Sequence, residues 1–313
     1  MELLDRVQVC DSTNSAQKNY RIKICVNFFD KNKTHIRSYN DNITCQYLLE
    51  KINIFIDILI KSNNRNISYA VFQKSNYKKE YGVIITMINL NDEDIDIISN
   101  FNDEELIVKG YSSLNNQHHK IVYIGQEKHL TNFYYDFIWK QSLQSFIQTN
   151  TSVSNEIHQT VDRLLNKDNI NSKLDNFYGL GGEMGVYYYR NKNSFKKGTC
   201  FTNSKEIYED YILNTGDDNV YLVDYDKFSL KNYLDTHSNN VLVINISRNG
   251  LKELAVQINK LNFKQIIYIG CSEKTVRKDA NNLSRYVINQ VYKFDMFPGT
   301  DYYSYVINFI QKL

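Results

Sequence analysis

The 313-residue chain has a single proline, Pro298, and uses alanine sparingly. Asn, Ile, Lys and Tyr fill the tolerant positions, as an AT-rich genome would impose. That composition suits a virus, a plasmid or an AT-rich parasite without choosing among them. A proline kept against such drift marks a turn the fold needs, because its ring fixes φ and removes an N–H donor. The cysteines are scattered: Cys10, Cys25, Cys45, Cys200 and Cys271, odd in number and never paired as C-x-x-C. This argues against a disulfide framework, a zinc site or an iron–sulfur cluster. It implies a reducing intracellular compartment, the cytoplasm first. Net charge is only +2, so a nucleic-acid contact must come from local patches. No apolar run reaches the roughly 18 residues of a membrane span. No signal-peptide core follows Asp5 and Arg6. The expectation is a soluble protein with no membrane partner and no metal.

Enough is present for two cores: 42% of residues are hydrophobic, and the length suits two domains of ordinary size. Residues 1–142 read as a small α+β domain. Tyr20 to Phe28 alternate as a half-buried strand, with Arg21 and Lys23 on its open face. Tyr47–Lys61 repeats apolar residues at helical spacing. Strands are expected at Ile67–Gln73, Tyr81–Asn89, Glu105–Val108 and Lys120–Gly125, with a short acidic helix at Glu93–Ser99. Residues 143–313 change rhythm. A helix at Thr151–Leu165 precedes strands at Lys173–Phe177, Gly198–Thr202, Val220–Val223, Asn240–Ile246 and Gln265–Gly270. Runs near Tyr292 and at Tyr303–Phe309 would close the sheet as an antiparallel pair. Strands alternating with helical segments imply a doubly wound α/β sheet.

Three segments carry chemistry. Asp175-Asn-Phe-Tyr-Gly179-Leu-Gly181-Gly182 reads as a glycine turn that lets backbone approach a nucleotide-like ligand. Tyr268-Ile-Gly-Cys271-Ser-Glu-Lys-Thr275 holds a cysteine at a strand end, a candidate nucleophile or an ordinary buried thiol. Phe294-Asp-Met-Phe-Pro298-Gly-Thr300 holds the only proline. His118-His119 reads as a solvated loop pair. Lys78-Lys79 and Lys196-Lys197 read as exposed residues, and Tyr187-Tyr-Tyr189 as core and surface of one element.

In order, these segments resemble the transfer-RNA uracil-5 methyltransferase family, in its cluster-free branch. Ser145-Phe-Ile-Gln148-Thr-Asn150 is similar to the family's S-F-x-Q-x-N, and Asp175 to Gly181 to its D-L-Y-C-G-x-G. Val243 to Leu251, with Asn245, Arg248 and Gly250, sits where the family has D-P-P-R-x-G-L. Tyr268 to Thr275 resembles Y-x-S-C-N-P-x-T, and Phe294 to Thr300 resembles F-D-x-F-P-x-T. The resemblance implies a class-I methyltransferase-like sheet preceded by an RNA-recognition domain, with Tyr20, Arg21 and Lys23 toward RNA. It implies S-adenosylmethionine held by Gln148, Phe177, Gly179, Gly181, Thr202 and Asn245. Cys271 would be the nucleophile, aided by Arg248, and Ser304 would fill the general-base position. Structured RNA, transfer RNA among the candidates, would be the partner.

The departures fall on polar positions. Serine is a poor base, Asn245 replaces an aspartate, Thr202 stands near an expected carboxylate, and Gly182 replaces an asparagine. The glycines and the F-D-x-F-P turn persist. The leading expectation is therefore a degenerate member, a pseudoenzyme that binds RNA or a protein partner without efficient methyl transfer and holds S-adenosylmethionine weakly. Its alternatives are an active enzyme with its base relocated to Asp301 or Glu273, and a noncatalytic subunit of an RNA-processing assembly.

Overall fold

The computed structural model describes residues 7–10, 21–27, 35–36, 46–62, 66–88, 91–101, 103–113, 121–124, 128–134, 136–148, 150–167, 175–235, 239–296 and 303–312. The chain divides into two compact units. One comprises Ala16–Gln144 with Thr149–Thr151, the other Met1–Ser15, Ser145–Gln148 and Ser152–Leu313. The first described strand, β1 (Val7–Cys10), belongs to the larger unit and pairs in parallel with Val291–Phe294. The larger unit thus takes a strand from the amino-terminal side of the 142/143 boundary drawn from sequence.

In the smaller unit, β2 (Arg21–Asn27), β3 (His35–Ile36), β4 (Ile67–Lys74), β5 (Tyr81–Met87), β6 (Leu106–Ser113) and β7 (Ile121–Ile124) form a six-stranded sheet ordered β3-β2-β4-β5-β6-β7. Helix α1 (Gln46–Ser62) buries Leu48, Ile52, Phe55 and Leu59 with Ile67, Phe72 and Val83 in one core. Helix α2 (Asp92–Ser99) begins at Asn91, whose side chain accepts from the Asp94 N–H. The parallel β5–α2–β6 unit closes around it. A hairpin of β8 (His129–Tyr134) and β9 (Phe137–Ser142) was not anticipated from the pattern. Its inner face is partly polar, with Asn132 donating to Gln141 at 3.0 Å, so apolar alternation alone did not reveal it. Arg21 and Lys23 lie in β2, opposite Gln73 and Val71; Tyr20 lies outside the described residues.

The larger unit holds α3 (Thr151–Lys167), β10 (Asn176–Gly181), α4 (Met184–Asn191), β11 (Lys197–Thr202), α5 (Lys205–Thr215), β12 (Val220–Leu222), β13 (Asn240–Asn245), α6 (Glu253–Asn259), β14 (Phe263–Gly270), α7 (Glu273–Asn282), β15 (Tyr286–Phe294) and β16 (Ser304–Gln311). Its sheet runs β1-β15-β16-β14-β13-β10-β11-β12. β10 through β14 pair in parallel, and β16 inserts antiparallel between β14 and β15. This is the class-I methyltransferase-like arrangement that the resemblance implied. The closing antiparallel pair is β15 and β16, as the two late apolar runs suggested.

In the smaller unit the strand expected at Glu105–Val108 is Leu106–Ser113, and in the larger unit one strand is displaced from the sequence reading. The strand expected at Lys173–Phe177 is Asn176–Gly181, and Gly179 and Gly181 lie inside it rather than in a following turn. All six of its residues are buried, because β10 is central, with β11 on one side and β13 on the other. Such a position favours a continuous buried run over alternation. Lys173 and Leu174 lie outside the described residues.

Candidate functional site

Strand order reverses direction between β10 and β13, and ligands of open α/β sheets bind in the crevice outside such a switch point. Gly181 pairs with Asn245 there. Gly181 has φ +103°, and a Cβ on it would lie 2.1 Å from the Asn245 carbonyl oxygen. Only glycine fits that approach. The Gly182 N–H then donates to the same carbonyl at 2.7 Å. Phe146 packs against the Cα of Gly182, and Ser145 Oγ donates to Asp210 on α5. The Ser145–Gln148 segment is thereby fixed beside the turn, with Gln148 buried.

The next residue, Glu183, is left-handed at φ 58° without being glycine. Such outliers persist where surrounding structure over-determines them, and they cluster at functional sites. Its side chain is 1% exposed, and Oε1 lies 3.7 Å from His158 Nε2. Oε2 accepts from Asn245 Nδ2 at 3.3 Å. His158 is itself fully buried and stacks on Tyr187 at 4.4 Å. The Glu183 Oε1 atom is buried and makes no hydrogen bond. Sequence reading passed over Glu183; the signal was an acid placed directly after Gly-Leu-Gly-Gly.

Thr202 ends β11 at the same sheet edge, is buried, and its Oγ1 accepts from the Ser204 N–H at 3.1 Å. Phe177 and Gly179 lie further back in β10. Phe177 is fully buried between Tyr188 and Phe195, each with ring centroids 5.4 Å away.

The second half of the edge is built by β14 and its neighbours. Cys271 follows the last residue of β14 and is half-buried. Gly270 pairs with Tyr305, and Ser304 pairs with Phe294. Cys271 and Ser304 therefore continue from that pair at one end of the antiparallel ladder. Ser304 is 1% exposed, and its hydroxyl makes no hydrogen bond. The exposed turn carrying Arg248 is clamped to α7: Thr275 Oγ1 donates to the Arg248 carbonyl at 3.0 Å. Asp279 Oδ2 accepts from the Leu251 N–H at 2.9 Å and from Tyr268 at 2.8 Å. Burial, then the Asp279 charge, pushes the Tyr268 hydroxyl pKa up. Gly250 at φ +75° leaves room for Asp279, whose carboxylate a Cβ would meet at 2.7 Å. The second non-glycine left-handed residue among the described ones, Lys252, lies in this same segment. The clamp through Asp279 escaped sequence reading, because α7 looks polar throughout.

Of the two residues considered for a relocated base, Glu273 is not presented for the task. Glu273 is engaged by Arg277 at 2.7 Å and by Tyr305 at 2.9 Å, and those two hold its carboxyl below the usual range. A stabilised carboxylate is a weaker proton acceptor. Asp301 and Pro298 lie outside the described residues. Of the cysteines whose side chains are described, Cys200 is fully inside, and burial pushes its thiol up. Among the described residues, no group of three or more His, Cys, Asp or Glu could hold a metal ion. No described helix is long and apolar enough to cross a membrane.

No family model matches the chain. A provisionally named 23S rRNA (uracil(747)-C(5))-methyltransferase of Haemophilus ducreyi is 30% identical over 182 residues, 54% of this chain and 82% of that protein. The 23S rRNA (uracil(747)-C(5))-methyltransferases of Glaesserella parasuis and Xenorhabdus nematophila are 29% and 28% identical, over 54% and 51% of this chain. The matches span only 45% and 42% of those two longer proteins. The crystal structure of Pyrococcus abyssi tRNA (uracil-54, C5)-methyltransferase in complex with S-adenosyl-L-homocysteine superposes with a TM-score of 0.69 at 18% identity. The superposition covers 93% of this chain and 74% of that one, a likeness of fold. By its likeness to the Haemophilus protein, the chain belongs to the RNA uracil-C5 methyltransferase family.

Proposed function

We propose that the chain is an S-adenosylmethionine-dependent RNA uracil-C5 methyltransferase, with structured RNA, transfer RNA among the candidates, as its substrate and Cys271 as its nucleophile. The observation that carries this reading is the placement of half-buried Cys271 at the sheet edge that also holds the Gly181–Asn245 switch point. The crevice fits the cofactor in kind: a glycine-bearing turn for close backbone approach and a buried carboxyl oxygen with no donor. When bound, S-adenosylmethionine supplies an electrophilic methyl group.

Cys271 then does what the unaided uracil ring cannot. Its thiolate would add to C6, forming the S–C6 bond and leaving an enolate whose C5 would accept the methyl as the sulfonium's S–CH3 bond breaks and S-adenosylhomocysteine departs. Removal of the C5 proton by a base breaks the S–C6 bond and frees the product. Arg248 stabilises negative charge beside the thiolate. Gln148, Gly179, Gly181, Thr202 and Asn245 line or shape the cofactor side, with Phe177 packed behind them. Thr202 offers a neutral hydroxyl where a carboxylate would grip ribose, so cofactor affinity is modest. Tyr20, Arg21 and Lys23 contribute to holding RNA.

A second reading rests on Ser304. Its buried hydroxyl cannot replace a carboxylate base, which favours a protein that binds RNA or a protein partner without efficient transfer. Incubation with S-adenosylmethionine and a uridine-loop RNA separates the two. The first reading expects methyl incorporation that Cys271→Ala abolishes, with a denaturation-resistant RNA adduct and faster release in Ser304→Glu. The absence of both methyl incorporation and adduct would overturn it and favour the second.

A further inference from the structure

Glu183 is the feature of the larger unit that the reaction above does not use. It is an acid in a left-handed turn, nearly sealed from water. Burying a carboxyl oxygen without a donor forfeits its hydration with nothing in return. A native structure accepts that cost where a ligand completes the site. The other oxygen already touches Asn245 Nδ2, at the carboxyl end of β13 and within the switch-point crevice. His158 Nε2 faces the remaining oxygen, Oε1, at 3.7 Å, beyond hydrogen-bond reach, and its ring is held flat against Tyr187. Oε2 is therefore held by Asn245, while Oε1 lies beside His158 without accepting a hydrogen bond.

We propose that Glu183 is a cofactor-binding residue that receives the ammonium group of the methionine part of S-adenosylmethionine. This rests on the cofactor reading above. A single buried charge facing an ammonium gives a charge-assisted hydrogen bond, and burial spares it from salt screening. Asn245, which the resemblance places on the cofactor, then acts as the amide that orients the Glu183 carboxylate. The assignment also explains why a non-glycine residue is held at positive φ: that backbone aims the side chain inward at the mouth of β10.

Calorimetric titration of the full chain with two ligands tests this. S-adenosylhomocysteine carries the ammonium; 5′-methylthioadenosine keeps the nucleoside and lacks the amino-acid part. Glu183→Gln should weaken the first by roughly tenfold to a hundredfold and leave the second unchanged. Equal loss on both ligands, or no loss on the first, overturns the assignment. On the unmutated protein, deaminated S-adenosylhomocysteine should bind at least about tenfold more weakly than its parent; equal affinity also overturns it, whether or not the variant folds. If the unmutated protein binds neither S-adenosylhomocysteine nor 5′-methylthioadenosine, the cofactor reading falls and this assignment with it. If the ligands bind but do not respond to the ammonium or to residue 183, only this assignment falls.

Discussion

Two turns leave the same edge of the larger sheet, and they are built oppositely. The turn at the end of β10 is sealed: Gly181, Gly182 and Glu183 are all buried, and the backbone is held by the Gly182 N–H donating to the Asn245 carbonyl. The turn after β14 is open: Cys271 is half-buried, Glu273 and Lys274 are exposed, and Arg248 lies on an exposed turn nearby. A small ligand gains most from a dry, preorganised cradle. On the proposed reading, Cys271 must meet a base on a large RNA and needs a route in from solvent. The contrast separates a holding turn from a reaching turn.

The contrast breaks most sharply at Gly181. Gly181→Ala forces a Cβ into the Asn245 carbonyl at a positive φ, and we expect a loss of more than about 4 kcal/mol. Gly216→Ala also sits at positive φ, +64°, but has nothing within 4 Å of its Cβ; it should cost only about 1–2 kcal/mol. Denaturant titration of both variants checks this, and similar losses would show that crowding at the switch point does not matter. The open turn should respond less. Asp279→Ala leaves the Leu251 N–H and the Tyr268 hydroxyl without their acceptor, for an expected loss of about 3 kcal/mol. The same titration would count against the clamp if the midpoint did not move.

The smallest effect lies in the other unit and serves as a control outside the edge. Lys79, then Lys51 and Tyr47, hold the half-buried Glu105 carboxyl down to about 2. A depressed acid contributes stability that is complete above its unfolded pKa, about 4.3, and fades as pH falls through the folded value. Lys79→Gln should therefore narrow the stability difference between pH 5 and pH 2 slightly, without touching ligand binding. An unchanged acid limb would mean this surface pair contributes nothing, as many exposed pairs do.

Much of this architecture was legible because burial leaves a period in the sequence. Leu48, Ile52, Phe55 and Leu59 announced α1, and the apolar runs of β13 and β14 announced the parallel sheet. Short motifs that kept their order singled out Asn245, Cys271 and Ser304 as candidates, and all three fall at strand ends of the larger sheet. Three things were hidden. The exact extent of β10 was masked by glycines that look like a turn but pair within the sheet, Gly179 on both sides and Gly181 with β13. The β8–β9 hairpin was hidden by a polar inner face, where Asn132 and Gln141 satisfy each other. Glu183 and Asp279 were hidden because a charged residue reads as solvent-facing until three-dimensional packing supplies its partners.

β1 adds a consequence of a different kind. Val7 pairs with Val291, so almost the whole chain lies between two neighbouring residues of one sheet. Closing so large a loop is cheap at equilibrium, since each doubling of length adds only about 0.6 kcal/mol. In time it is expensive, because folding slows as contacts grow distant in sequence. The smaller unit, inserted between β1 and the rest of the sheet, shortens that search once it has folded on its own. A destabilised smaller unit would then delay the docking of Val7–Cys10 without altering a single contact of the finished edge, and a strand made early would be among the last to be placed.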